Sequence, residues 1–421
     1  MSHQNIKRRT FLQAAGAFTI LQPRLARGAQ ANSAVRVGLL GCGSRGGAHA
    51  ANIIQNTDAR LVALADLFPD QLERAKSRFD RLNQSKGYAA IAQTFVGPKA
   101  CQQIAEAKEV DAIVIATPPY FHPEHLATVV AAGKHVYCEK PVAVDVPGAM
   151  QVLETGKRAE GKLSLEVGFQ IRSAPPFVEL VRRIHAGALG EIAAGEAHYY
   201  ASLAERREWP GAAGQTLRLR NWIHDRVLSG DIIVEQEIHA IDICNWVLKA
   251  HPLKAVGTGG RKGRMMPGMD CYSHFDAIFY YPDDVHVSFN ATQFGQGPFE
   301  VGERFFGVRG ASESPYSGKL GITGDEAWTW EGSEQAKQQG QFSASGSFSD
   351  NLAQADPEKQ RAFLASIASG QFHNQAASGV ESALTAMLGR QAAYTGREVT
   401  WDELLRTGER WDAGIDVNKL A

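Results

Sequence analysis

The stretch "VRVGLLGCGSRGGAHAANIIQ", residues 35–55, decides the fold. Residues 35–43 are apolar and β-rich and end in glycines, and residues 45–55 read as a helix. Between them Gly41, Gly43 and Gly46 fit the pattern G-x-G-x-x-G. Glycine is common in this chain, so the spacing alone says little. Its place between a strand and a helix predicts a dinucleotide-binding turn. The first glycine permits the tight turn, the second lets backbone approach a pyrophosphate, and the third lets helix and strand pack closely. Ser44 and Arg45 lie within this turn, where a helix N-terminus offers free N–H groups and partial positive charge to phosphate. Asp66 ends the next strand-like run, "ARLVALAD". A carboxylate there suits both ribose hydroxyls and repels a 2′-phosphate, so NAD is expected over NADP.

Outward from this stretch, apolar runs alternate with helical ones. Strands are expected in "VDAIVIATPP", "HVYCEKPVAV" and "LSLEVGFQ", and helices in "PDQLERAKSRFDRL", "PEHLATVVAAG" and "PGAMQVLETGKRAEG". Near-continuous apolar strands separated by helices imply a parallel sheet covered on both faces. After about residue 172 the rhythm changes. A helix near 175–187, an alternating strand at 190–201, and an Arg-, Trp- and Gly-rich loop at 205–231 precede one helix, "IIVEQEIHAIDICNWVLK". Several strand-like runs follow, then a last helix, "GVESALTAMLGRQAAYTG". The fold class expected is α/β. An N-terminal doubly wound Rossmann domain spans 34–165, and a C-terminal α/β domain with a large open, mostly antiparallel sheet spans 166–421.

Charge and cysteine usage narrow the function. The 44 basic residues nearly cancel the 45 acidic ones, which argues against a broad basic face for nucleic acid or membrane. The five cysteines form no CxxC pair, so no metal site is expected and the thiols read as buried and free. Residues 1–31 read as an address label. Lys7, Arg8 and Arg9 form a basic region, Phe11–Leu21 is weakly apolar and too short to span a bilayer, and Ala29 and Ala31 give an A-x-A cleavage pattern. Arg8-Arg9-Thr10-Phe11-Leu12 resembles a twin-arginine signal. Export of the folded chain to the periplasm through that machinery is the expectation.

Two further strand ends carry chemistry, "ATPPYFH" at 116–122 and "CEKPV" at 138–142. Ligands of doubly wound sheets bind beyond the carboxyl ends of strands. Thr117, Pro118, His122, Glu139 and Lys140 are therefore expected at the cofactor, with Glu139 and Lys140 beside the nicotinamide. A lysine there can stabilise a developing oxyanion during hydride transfer. Pro141 biases Lys140 toward extended geometry.

The glycine turn, Asp66, "ATPPYFH", "CEKPV" and "VGFQIR", in this order, resemble the glucose–fructose oxidoreductase / inositol dehydrogenase (Gfo/Idh/MocA) family. The resemblance implies oxidation or reduction of sugars and cyclitols with NAD(P), and oligomerisation through the open sheet. It also implies an acid-x-x-x-His motif, matched here by Glu235 and His239, with His239 as acid/base and Glu235 standing for the family's usual aspartate. On one continuous helix Glu235, His239, Asp242 and Trp246 would share about 60° of arc. Gln170 is expected on the nicotinamide side. Arg172, His198, Trp222 and Asp242 are expected at the substrate, with Tyr199 and His224 as further sugar contacts.

The leading expectation is an NAD(P)-dependent oxidoreductase acting on a sugar, cyclitol or polyol, with tightly bound, internally recycled NAD. One alternative is an NAD-dependent glycoside hydrolase of the same fold, working by oxidation, elimination, addition and reduction. Another is a non-catalytic periplasmic protein that binds NAD or a sugar.

Overall fold

β1 (Arg36–Leu40) lies at the centre of a six-stranded parallel sheet that also contains β2 (Arg60–Asp66), β3 (Gln93–Val96), β4 (Ala112–Ile115), β5 (His135–Cys138) and β6 (Leu165–Val167). The order is β3-β2-β1-β4-β5-β6, so the direction of winding reverses between β1 and β4. The computed structural model describes residues 34–202, 206–262, 270–293, 299–331 and 350–420. The expected export signal, and the Gly- and Ser-rich stretch at 332–349, lie outside the described residues.

The central strands are apolar on both faces, as their sequence requires. Val37, Ala63, Ile113 and Val136 are fully buried. Helices α1 (Ser44–Asn56), α2 (Pro69–Ser85), α3 (Ala100–Glu106), α4 (His122–Ala131) and α5 (Val146–Ala159) cover the two faces. α2 starts at Pro69, where a missing N–H leaves no bond unmade. α5 starts at Asp145, whose Oδ1 accepts from Gly148 N at 2.7 Å.

α6 (Pro175–His185) leads into a nine-stranded sheet formed by β7 (Ile192–Tyr200), β8 (Lys254–Gly260), β9 (His274–Tyr280), β10 (His286–Thr292), β11 (Glu300–Gly307), β12 (Gly310–Glu313), β13 (Gly321–Gly324), β14 (Trp328–Thr329) and β15 (Val399–Thr400). Its pairings are antiparallel except β7 with β10. One face packs on α7 (Ile238–Leu248) and α9 (Ala376–Thr395), while Ile278 and Phe306 are exposed on the other. No helix among the described residues is long and apolar enough to cross a membrane.

Five details differ from the sequence reading. The first sheet runs to Val167, two residues past the expected boundary, and α8 (Ala355–Ser369) returns from the C-terminal region to pack on α1. The expected loop at 205–231 holds short helices at Gly214–Arg220, Trp222–His224 and Arg226–Ser229. The single helix expected at 232–249 is two, Ile232–Glu235 and α7, because the chain turns at Gln236 and Glu237. The short strands β3 and β12 and the helices α3 and α8 carried no clear apolar rhythm.

Glu303 of β11 points into the core at 1% exposure, and its Oε2 accepts from Ser314 Oγ at 2.8 Å. Burial pushes its carboxyl up to about 8. That lies above the unfolded value near ~4.3. The folded state therefore holds this proton more tightly, so its contribution to stability is complete in acid and is lost as the pH rises toward the folded value. Glu303→Gln should flatten this loss. Urea midpoints measured between about pH 5 and pH 9 should fall for the parent and hold for the variant, and parallel curves would refute the assignment.

Candidate active site

The three glycines occupy distinct environments. Gly41 has φ +97°, and a Cβ there would sit 2.5 Å from the Ala116 carbonyl oxygen. A Cβ on Gly46 would sit 2.0 Å from the Gly41 carbonyl oxygen. A Cβ on Gly43 would meet no protein atom within 4 Å. So the first and third glycines serve the turn and the strand–helix contact, and the second leaves open space in front of α1. No side chain caps that helix, and Ser44 is exposed at its start. Free N–H groups facing open space fit a pyrophosphate.

Asp66 is 9% exposed beside this turn. Its Oδ2 accepts from Cys42 N at 2.7 Å and its Oδ1 from Phe68 N at 2.9 Å. Burial raises its pKa against these two bonds. A carboxylate has room for further donors on both oxygens, so the arrangement fits ribose hydroxyls. Thr117 and Pro118 follow β4 alongside Gly41, with Thr117 Oγ1 2.9 Å from His125 Nδ1. His122 ties two strand ends together, with Nδ1 2.7 Å from the Pro141 carbonyl oxygen and Nε2 2.7 Å from that of Thr117. Both ring nitrogens are thus occupied by backbone, which corrects its expected cofactor contact.

Glu139 and Arg45 also differ from expectation. Glu139 is 4% exposed and lies beneath the glycine turn. Its Oε1 accepts from Arg45 Nε at 2.8 Å and pairs with His49 Nε2. Burial pushes this carboxyl up, but Arg45 and His49 overcome burial and hold it well below the ordinary range. Arg45 is further held by Asp356 of α8 through two bonds of 2.8 Å. Its side chain is spent on protein carboxylates, so only its backbone remains for phosphate. Sequence reasoning missed His49, Asp356 and Gln360, whose Nε2 lies 2.7 Å from His49 Nδ1.

The next residue, Lys140, emerges from this support after β5, and its bond to Pro141 is cis. Lys140 Nζ donates to the Glu235 carbonyl oxygen at 2.5 Å and lies 3.6 Å from Glu235 Oε1. His239 stands at the start of α7 at 7% exposure, with the Phe169 ring edge-on at 6.1 Å. Burial first, and then the Lys140 charge, push its imidazole well below its ordinary value, so it is neutral. Its Nδ1 is buried without a partner among the described residues, and so is Oε1 of Gln170. Lys140, Glu235 and His239 are thus brought together, and Gln170 directly follows Phe169, whose ring meets His239.

The expected substrate residues do not all join them. Asp242 is 1% exposed and accepts from Arg172 at 2.8 and 2.9 Å and from Ser382 Oγ at 2.7 Å. These two candidates bind one another, because α7 is buried nearly all round and its acid needs an internal partner. His198 faces outward on β7, stacked on Tyr200 at 5.1 Å and 3.4 Å from Glu300, while Tyr199 faces inward beside Gln236. Glu196 shares the outward face with His198, and that polar alternation was readable in the sequence. Trp222, like Phe68, Tyr120 and Phe121, packs against the buried cluster of Leu219, Leu228 and Ala413, and His224 is itself buried. No group of three or more His, Cys, Asp or Glu among the described residues is placed to hold a metal.

Residues 35–167 match the model of the "Oxidoreductase family, NAD-binding Rossmann fold", and residues 177–313 match the "GFO/IDH/MocA C-terminal domain". The chain belongs to the Gfo/Idh/MocA family. Its first domain is that family's NAD-binding Rossmann domain. This family member is 30% identical over 229 residues to an inositol 2-dehydrogenase of Rhizobium meliloti, covering 53% of this chain and 58% of that one. It is 27% identical over 218 residues to a glycosyl hydrolase family 109 protein of Shewanella baltica, covering 46% of each. The chain therefore spans about half the length of the curated relatives it matches. A levoglucosan dehydrogenase solved with NADH and L-sorbose shares the fold, with a TM-score of 0.68, 18% identity, and coverage of 87% of this chain and 99% of that one.

Two alanine substitutions separate the roles of the glycines. Gly43→Ala should fold with a stability change within about 0.5 kcal/mol while NADH affinity falls at least about tenfold. Gly46→Ala should lose stability as well, since its new methyl group meets backbone. Fluorescence titration with NADH beside urea unfolding reads both, and unchanged affinity in Gly43→Ala would refute the cradle.

Proposed function

We propose that this chain is an NAD-dependent oxidoreductase acting on a secondary hydroxyl or ketone of a cyclitol, sugar or polyol. The observation that carries the reading is Lys140 set against Glu235 and His239 beyond the carboxyl end of β5, next to the glycine turn. The names of the relatives support the substrate class.

Bound nicotinamide would supply the hydride acceptor or donor. The chain's own groups handle the oxygen and its proton. The neutral imidazole of His239 is ready to take the hydroxyl proton as the alcohol is oxidised, and to return it in the reverse direction. Lys140 Nζ holds the same oxygen and offsets negative charge developing on it. Glu235 orients Lys140 through its carbonyl oxygen and carboxylate. Gln170 offers its free Oε1 to the carboxamide side of the cofactor.

The basic and weakly apolar start of the chain, residues 7–21, supports export in folded form, with NAD loaded beforehand and regenerated in place. The outward face of the nine-stranded sheet, with exposed Ile278 and Phe306, supports homo-oligomerisation there. A second reading, an NAD-dependent glycoside hydrolase, draws on the relative from Shewanella baltica.

Lys140→Met and His239→Asn should each lower turnover of cyclitols and sugars at least about 100-fold while still binding NADH. Turnover equal to the parent would overturn the reading, and a parent that binds but never turns over would leave a binding protein. Acid-denatured protein purified after export should release NAD(H), and its absence would remove internal recycling. A panel of aryl glycosides that yields no aglycone would eliminate the hydrolase.

A further inference from the structure

The second domain reaches back over the cofactor crevice beside the end of β2. Arg220, whose side chain is 13% exposed, donates from both terminal nitrogens to Asp70 in the first turn of α2, at 2.6 and 3.1 Å. Its guanidinium lies 4.1 Å over the Phe68 ring and 4.6 Å from the Trp209 ring. Phe68 stands two residues after Asp66, the acid suited to the adenosine ribose. Asp70 also accepts from Arg74 at 2.8 Å on its own helix.

A second anchor lies on the other side of the crevice. Tyr120 and Phe121, which follow β4, pack against the buried cluster of Leu219, Leu228 and Ala413, and Ala413 N donates to the Tyr120 hydroxyl at 3.4 Å. The two segments are tied to each other, since Arg218 donates to the Ala413 carbonyl oxygen at 2.8 Å and Gln215 to that of Gly414 at 2.8 Å. In the sheet β1 lies between β2 and β4. A strap fixed to the residues after β2 and also after β4 crosses the end of β1, where the glycine turn sits.

We infer that residues 206–229 and 410–420 form a clasp over the adenosine half of the bound dinucleotide, latched by Arg220 on Asp70, and that this latch limits cofactor release. Arg220 is a positioning residue in this device. The inference deepens the oxidoreductase reading and rests on it for the dinucleotide alone. It gives the retention of NAD a physical basis in this chain.

The test is the release rate of NADH from the full chain, followed by its fluorescence after mixing with excess NAD+. Asp70→Asn and Arg220→Met should each release NADH about tenfold faster, the worth of a charge-assisted bidentate contact. Asp70 is a half-exposed surface residue, so its variant keeps the measurement available if Arg220→Met fails to fold. The charge exchange Asp70→Arg with Arg220→Asp should restore slow release, which a merely structural role would not do. Parental release rates in the single variants would overturn the clasp and leave the catalytic reading standing. A chain that binds no NADH at all would overturn both. Loss of the catalytic reading in the Lys140 and His239 variants would leave this rate effect untouched.

Discussion

The site depends on one buried carboxylate. Glu139 lies under the glycine turn, where Arg45 and His49 of α1 converge on a single oxygen and the Lys140 N–H reaches the other at 3.2 Å. A buried ion repays its lost hydration only when several donors meet it in good geometry. Here the donors come from the elements that must be aligned, namely the dinucleotide-binding helix and the strand end carrying Lys140. A Cβ on Gly168 would lie 2.6 Å from Glu139 Oε2, so the next strand end is shaped around the same group. Arg45 extends the network to Asp356, and Gln360 supports His49 from the same helix, α8. The C-terminal region thereby braces the cofactor turn from behind.

This bracing explains the electrostatics in front. Lys140 leaves the network on the side facing the second domain and meets the Glu235 carbonyl, at the point where the chain turns between two helices. His239 follows that turn directly. The dry surroundings first, and then the positive charge of Lys140, keep its imidazole neutral. Burial, reinforced by the neighbouring lysine, thus leaves the imidazole neutral for the proton while Lys140 faces the oxyanion.

The glycine turn, Asp66 and the pair Glu139–Lys140 were legible because backbone geometry and strand ends fix them locally. The six strands of the first sheet followed from continuous apolar runs, apart from β3, an edge strand of four residues with alternating half-exposure. Helix α8 escaped notice because Asp356, Lys359 and Gln360 share its buried face with Phe363 and Leu364 and break the apolar stripe. Those polar groups find partners far away in sequence, Asp356 in Arg45, Lys359 in Glu166 and the Gln360 amide nitrogen in His49. The same blindness affected Arg172 and Asp242, read as two substrate ligands when each is the other's counter-ion. Helical geometry alone also failed at residue 236, since the break that admits Lys140 to a main-chain carbonyl is a tertiary event.

The central claim is that the glycine turn is braced through Arg45 by an acid from the distant helix α8. A double-mutant cycle on Arg45→Met and Asp356→Asn, read by urea unfolding, tests it most directly. The two residues share a bidentate, largely buried contact, so a coupling energy of about 1–3 kcal/mol is expected. Additive effects, with coupling below about 0.3 kcal/mol, would contradict the account.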